Sequence, residues 1–96
     1  MSHAQSLLDH VNFKIAQVAS EEWAGGPSPQ LRLSNDAGSE SADKLRGRVD
    51  VVLRTKSGET VLAAIQLAPL RSETDIDDAF ADTLSKVLMN HYRWPR

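Results

Sequence analysis

The sequence predicts an α+β fold in the order αβββα: a three-stranded antiparallel meander with two helices packed on one face. Three observations lead there. Apolar residues recur at helical spacing near both ends of the chain, residues 46–55 and 59–67 alternate around a Lys-Ser-Gly turn, and Pro27, Pro29 and Pro69 punctuate the boundaries.

The first helical pattern runs from residue 3 to about residue 22. Ala4, Leu8, Val11, Ile15 and Val18 return every three or four positions, and Leu7 and Ala19 widen the stripe. Gly25, Gly26, Pro27 and Pro29 end it and force an extended exit. Gln30 to Ser34 then alternates, which suits a short strand with Leu31 and Leu33 on one face. Residues 35–44 are small and polar with nothing to bury, and are expected to form a mobile loop.

Two strands follow, closed by Pro69. Val49, Val51 and Leu53 fall on one side of the first, and Val61, Ala63, Ile65 and Leu67 on one side of the second. For both sets to share a core, cross-strand partners must sum to an even number. A three-residue loop, Lys56-Ser57-Gly58, meets that condition with Gly58 at a left-handed position. The expected pairs are Leu53 with Val61, Val51 with Ala63 and Val49 with Ile65, with Ile65 buried beneath both helices.

The last helix has Ser72 or Thr74 as its N-cap, each with an aspartate three residues on, at Asp75 or Asp77. Asp75, Asp77 and Asp78 crowd the first turn while Lys86, His91 and Arg93 come late, as the helix dipole favours. Ile76, Phe80, Leu84, Val87 and His91 or Trp94 keep helical spacing. Short connections leave the two helices running roughly parallel.

Ninety-six residues make a single small domain, and 41% hydrophobic with 25% charged residues is an ordinary globular balance. Cysteine is absent, which excludes disulfides and thiolate metal sites. The N-terminal segment lacks a basic region and an unbroken apolar run, so no signal peptide is expected. No stretch approaches the roughly 20 apolar residues of a membrane span. The expected setting is the cytoplasm. A net charge of −2 argues against nucleic acid as a partner.

Asp50 near the start of the first hairpin strand and Gln66 near the end of the second are diagonal neighbours in this register. A hairpin with Asp on one strand and Asp/Glu-x-Lys on the next resembles the core of the PD-(D/E)xK nucleases. The resemblance covers about 20 residues and implies metal-assisted phosphodiester cleavage. Here Gln66-Leu67-Ala68 stands where the acid and the lysine would, a weaker ligand set without the charge-stabilising lysine. The alternative functional reading is therefore a degenerate or partner-completed nuclease-like domain acting on nucleic acid. The element order also resembles that of double-stranded-RNA-binding domains, but those carry basic residues where this last helix begins with acids.

Other constellations have plainer readings. His3 and His10 lie seven residues apart, about 10 Å along a helix, too far to share one ion. The acidic run from Glu73 to Asp82 lacks the ligand pattern of a calcium loop. Arg46, Arg48 and Arg54 form a modest basic strip without interleaved aromatics. No phosphate loop, dinucleotide fingerprint or nucleophile elbow occurs.

Two features call for a partner. Val52, Leu62 and Ala64 are expected side by side on the uncovered sheet face, framed by Asp50, Arg54, Thr60 and Gln66. Phe13 on the first helix, and Met89 and Tyr92 on the last, lie off their apolar stripes. The expectation is a small non-enzymatic interaction or regulatory module, self-associating, with a protein partner or a homodimer, and with no cofactor, metal or small-molecule ligand. On a two-fold axis, Arg54 of one chain would meet Asp50 of the other.

Overall fold

The computed structural model describes residues 3–20 and 29–91. It has helix α1 (His3–Ala19), strands β1 (Gln30–Leu33), β2 (Gly38–Ser41), β3 (Lys44–Arg46), β4 (Arg48–Thr55) and β5 (Gly58–Gln66), and helix α2 (Glu73–His91). The α+β class and the helix–strands–helix order are as expected. The three-stranded antiparallel sheet has the meander order β1-β4-β5, and β2 and β3 pair as a separate hairpin inserted between its first two strands.

Gly25, Gly26 and Pro27, expected to end α1, lie outside the described residues, as do Tyr92, Arg93 and Trp94 and the His91 side chain. The stripe of α1 buries Ala4, Leu7, Val11 and Val18. Helix α2 begins as its sequence directs: Ser72 is the cap, its Oγ accepting the Asp75 N–H at 3.1 Å. Asp75 reaches back to accept the Arg71 N–H at 2.9 Å, an aspartate version of the reciprocal capping box displaced by one residue. Interhelical contacts advance together, from His3 on the Arg71 carbonyl to His10 on Asp77, so the helices run in the same general direction.

Residues 35–44, expected as a mobile loop with nothing to bury, contain β2 and the start of β3. Gly38 pairs with Arg46 and Ser39 with Leu45, and the Ala42 carbonyl at the turn accepts the Ala4 N–H of α1 at 2.8 Å. The anchor is Leu45, fully buried in one cluster with Ala4, Leu7, Val11 and Phe80. Gly47 joins this hairpin to the main sheet. Its φ is +91°, and a Cβ there would stand 2.5 Å from the Ala37 Cα, so glycine is required. The Ser34 side chain secures the same joint by accepting the Arg48 N–H at 3.0 Å and donating to Asp36 at 2.7 Å, which holds the Asp36 carboxyl below its usual range.

The β4–β5 register agrees with expectation at the core end, where Val49 faces Ile65 and Val51 faces Ala63. Ile65 is buried, as expected. Toward the turn the register changes. Val52 pairs with Val61, Leu53 with Thr60 and Thr55 with Gly58, leaving Lys56-Ser57 as the connection and Leu62 as an unpaired extra residue, a β-bulge. The expected Leu53–Val61 pair is therefore corrected to Leu53–Thr60. The cause lies in the composition: Val51-Val52-Leu53 and Val61-Leu62-Ala63 are each three apolar residues in a row, and one parity cannot satisfy both strands. The bulge swings Leu62 into the cluster around Val51 and Val87 and turns Val61 outward, 60% exposed rather than covered by the helices. The expected three-residue loop is thereby corrected to a two-residue one: Gly58, with a positive φ of +131°, pairs with Thr55 as the first residue of β5 instead of sitting in the loop.

Candidate functional site

Both helices pack on the side of the sheet bearing Leu31, Leu33, Val49, Val51 and Ile65. Alternation along the strands then assigns the other face: Gln30 and Arg32 on β1, Arg48, Asp50, Val52 and Arg54 on β4, Glu59, Val61, Ala64 and Gln66 on β5.

Ion pairs dominate this open face. Arg32 binds Glu59 with two bonds of 3.1 and 2.9 Å, one to each carboxylate oxygen, and Arg54 binds the same carboxylate at 2.8 Å. β4 lies between the strands that carry Arg32 and Glu59. Arg32 sits level with Asp50 and Glu59 level with Arg54, so the pair crosses β4 over Val52. That crossing accounts for the 2% exposure of Val52 on a face no helix covers. Donation from Arg32 and then from Arg54 pulls the Glu59 carboxyl down to about 2, and Glu59 in turn raises the Arg32 guanidinium above its ordinary value.

The structure thus does not set Val52, Leu62 and Ala64 side by side. Val52 lies under an ion pair, Leu62 points to the helix side, and Ala64 remains exposed opposite Asp50. What the face presents is Val61 and Ala64 on β5, beside a lattice of charges. Arg54 and Asp50, expected to meet across a two-fold axis, have partners within the chain, Glu59 for Arg54 and Arg48 at 2.9 Å for Asp50.

Asp50 and Gln66 are diagonal neighbours, as the nuclease comparison requires, since Asp50 faces Ala64 and Arg48 faces Gln66. The first acids of α2, the ones the sequence offered as a second carboxylate, have other partners. Glu73 lies against His10 and Asp75 against the Arg71 N–H. Among the described residues no group of three or more His, Cys, Asp or Glu is arranged to hold a metal ion. A shallow groove of about 420 Å³ between α1 and β1 is lined by Ile15, Ala19, Pro29, Gln30, Leu31 and Arg32, which include no nucleophile and no general base.

On the helical side Phe13 is 59% exposed and stacks on the His10 ring, with centroids 6.0 Å apart. Met89 is 71% exposed, with Leu88 also exposed beside it. Tyr92, the third residue expected on that surface, lies outside the described residues. Sequence reasoning missed Val61, which it placed in the core. The signal was present in the two apolar triplets, whose joint solution needs a bulge. No helix among the described residues is long and apolar enough to cross a membrane. Compared with protein-family models, curated proteins and solved structures, the chain has no significant match.

Proposed function

We propose that this chain is a small interaction module that acts through protein–protein contact rather than catalysis, and that it self-associates along β5. The observation that carries this reading is the character of that strand. β5 is the longest strand, lies at an edge of the three-stranded sheet, and bears a single charged residue, Glu59, with neither lysine nor proline in it. Edge strands that must avoid other chains commonly carry just those blocking residues. Val61, 60% exposed, adds an apolar contact beside the backbone edge.

An edge of this kind accepts another strand through main-chain hydrogen bonds, with neighbouring side chains giving selectivity. A second copy is the simplest strand to accept. Antiparallel pairing of two β5 edges about a two-fold axis closes the assembly and joins two three-stranded sheets into one. The bulge at Leu62 limits the regular ladder to short runs on either side of it, which suits a reversible contact. The absence of cysteine accords with a reducing, cytoplasmic setting.

Sedimentation velocity at tens of micromolar tests the proposal. The wild type should sediment as a dimer and Val61→Lys as a monomer, because a lysine at an exposed edge position opposes strand addition without disturbing the core. Phe13→Glu should leave the dimer intact. A monomeric Phe13→Glu with a dimeric Val61→Lys would move the interface to α1.

A further inference from the structure

Resting on the β5 reading, we propose that the bulge at Leu62 fixes the register of the dimer, with the two-fold axis passing between Leu62 and Ala63. The backbone of β5 sets this choice. Leu67 donates its N–H to the Gly47 carbonyl, and Ser34 donates its own to the Arg48 carbonyl. Alternation from those two bonds turns the main-chain groups of Val49, Val51 and Leu53 toward β5, where their partners Ile65, Ala63 and Thr60 bond back. Glu59, Val61, Ala64 and Gln66 therefore aim their N–H and C=O groups away from β4, at an edge with no further strand among the described residues.

In a regular strand every second residue faces the edge, so two such strands related by a two-fold axis hydrogen-bond in register only when the axis sits on a residue. The bulge removes that constraint, because Val61 and Ala64 are three residues apart and both face the edge. One symmetric register then joins all of these residues. It sets Val61 opposite Ala64 of the partner subunit, and Glu59 opposite Gln66 of the partner subunit. Every other symmetric register joins at most two of them.

The side chains match in the same register. On the open face, exposed Val61 meets exposed Ala64 of the partner subunit, once on each side of the axis. On the helix side, half-buried Leu62 meets half-buried Ala63 of the partner subunit, a large residue against a small one. Farther out, the row across the seam reads Arg54, Glu59, then Gln66 and Arg48 of the partner subunit. No like charges face each other there, and the glutamine amide is a donor for the Glu59 carboxylate. The strand this edge fits is a second copy of itself.

Single-cysteine variants test the register, since the chain has no cysteine of its own. Hydrogen-bonded partners in an antiparallel ladder lie about 5.5 Å apart at Cα, within disulfide reach. Position 61 of one protomer is offset from position 61 of its partner by three residues, about 10 Å along the strand, which is beyond that reach. The same holds for position 64. Under mild oxidation, a mixture of Val61→Cys and Ala64→Cys should form a disulfide-linked dimer many-fold faster than either variant alone. Cross-linking of one variant alone that matches or exceeds the mixture would overturn the register while leaving β5 as the interface. A mixture that sediments as a dimer but does not cross-link would also overturn the register, and a dimeric Val61→Lys would then remove the β5 edge as well. A wild type that sediments as a monomer would overturn both readings together.

Discussion

Leu45→Ala should be among the most damaging single changes, although its neighbours on both sides are polar. Leu45 is 0% exposed and packs with Ala4, Leu7 and Val11 beneath the β2–β3 hairpin. Truncating a buried leucine to alanine costs about 2–5 kcal/mol, depending on how far the cavity collapses. The hairpin above Leu45 is short and exposed, so it can settle partly into the gap, which places this site at about 2–4 kcal/mol. At roughly 0.05–0.15 kcal/mol per residue, a domain of this size holds about 5–14 kcal/mol in all. With a urea slope near 1–1.5 kcal/mol/M, the unfolding midpoint should fall by about 1.3–4 M at unchanged slope. Lys56→Gln, at an exposed position in the turn between β4 and β5, serves as the control and should change stability by less than about 0.5 kcal/mol. A parent-like midpoint for Leu45→Ala would refute the claim that the hairpin is packed structure. Replacement of residues 38–46 by a Gly-Ser linker at no cost would refute it equally.

Three further perturbations follow from the same structure. Glu59 is held at about 2, so its pairing with Arg32 and Arg54 contributes above the ordinary carboxylate range and is lost as pH falls through about 2; the stability gap between wild type and Glu59→Gln should be largest near neutrality and shrink steadily in acid, as urea unfolding at a series of pH values will read. Gly47→Ala must both adopt a φ of +91° and push the Ala37 backbone, and should destabilise by more than the roughly 1 kcal/mol typical of a glycine change. Asp50 is partnered by Arg48 and, among the described residues, belongs to no group of three or more acids or histidines arranged for a metal ion, so magnesium or manganese should leave its NMR signals unmoved and the protein should not nick supercoiled DNA; metal-dependent nicking abolished by Asp50→Asn would restore the nuclease reading.

Much of the scaffold was legible because single residues decided it. The α1 stripe, the Ser72 cap and the Val49–Ile65 pair each follow from a short-range rule that the structure obeys. The β2–β3 hairpin was not legible for a physical reason. β2, Gly38–Ser41, is held by backbone pairing and by α1, and it contributes no buried apolar side chain of its own. The one anchor, Leu45, lies a residue past the polar run, and Gly47 was the available sign that a sharp joint followed. The bulge was missed because one parity was applied to the whole hairpin, whereas two apolar triplets demand two. That miss also dissolved the apolar patch expected from Val52, Leu62 and Ala64, and an Arg32–Glu59 pair across three strands has no local signature at all.

The central claim is that β5 is an interaction edge, and native-state hydrogen exchange across a concentration series tests it most directly. The edge-facing amides of residues 59–66 exchange freely in a monomer and become protected when a second β5 pairs with them. Protection in this strand should therefore rise from low micromolar to hundreds of micromolar in the wild type, while β1 stays unchanged, and the rise should vanish in Val61→Lys. Protection of β5 that is independent of concentration, in a protein that sediments as a monomer throughout, would contradict the account.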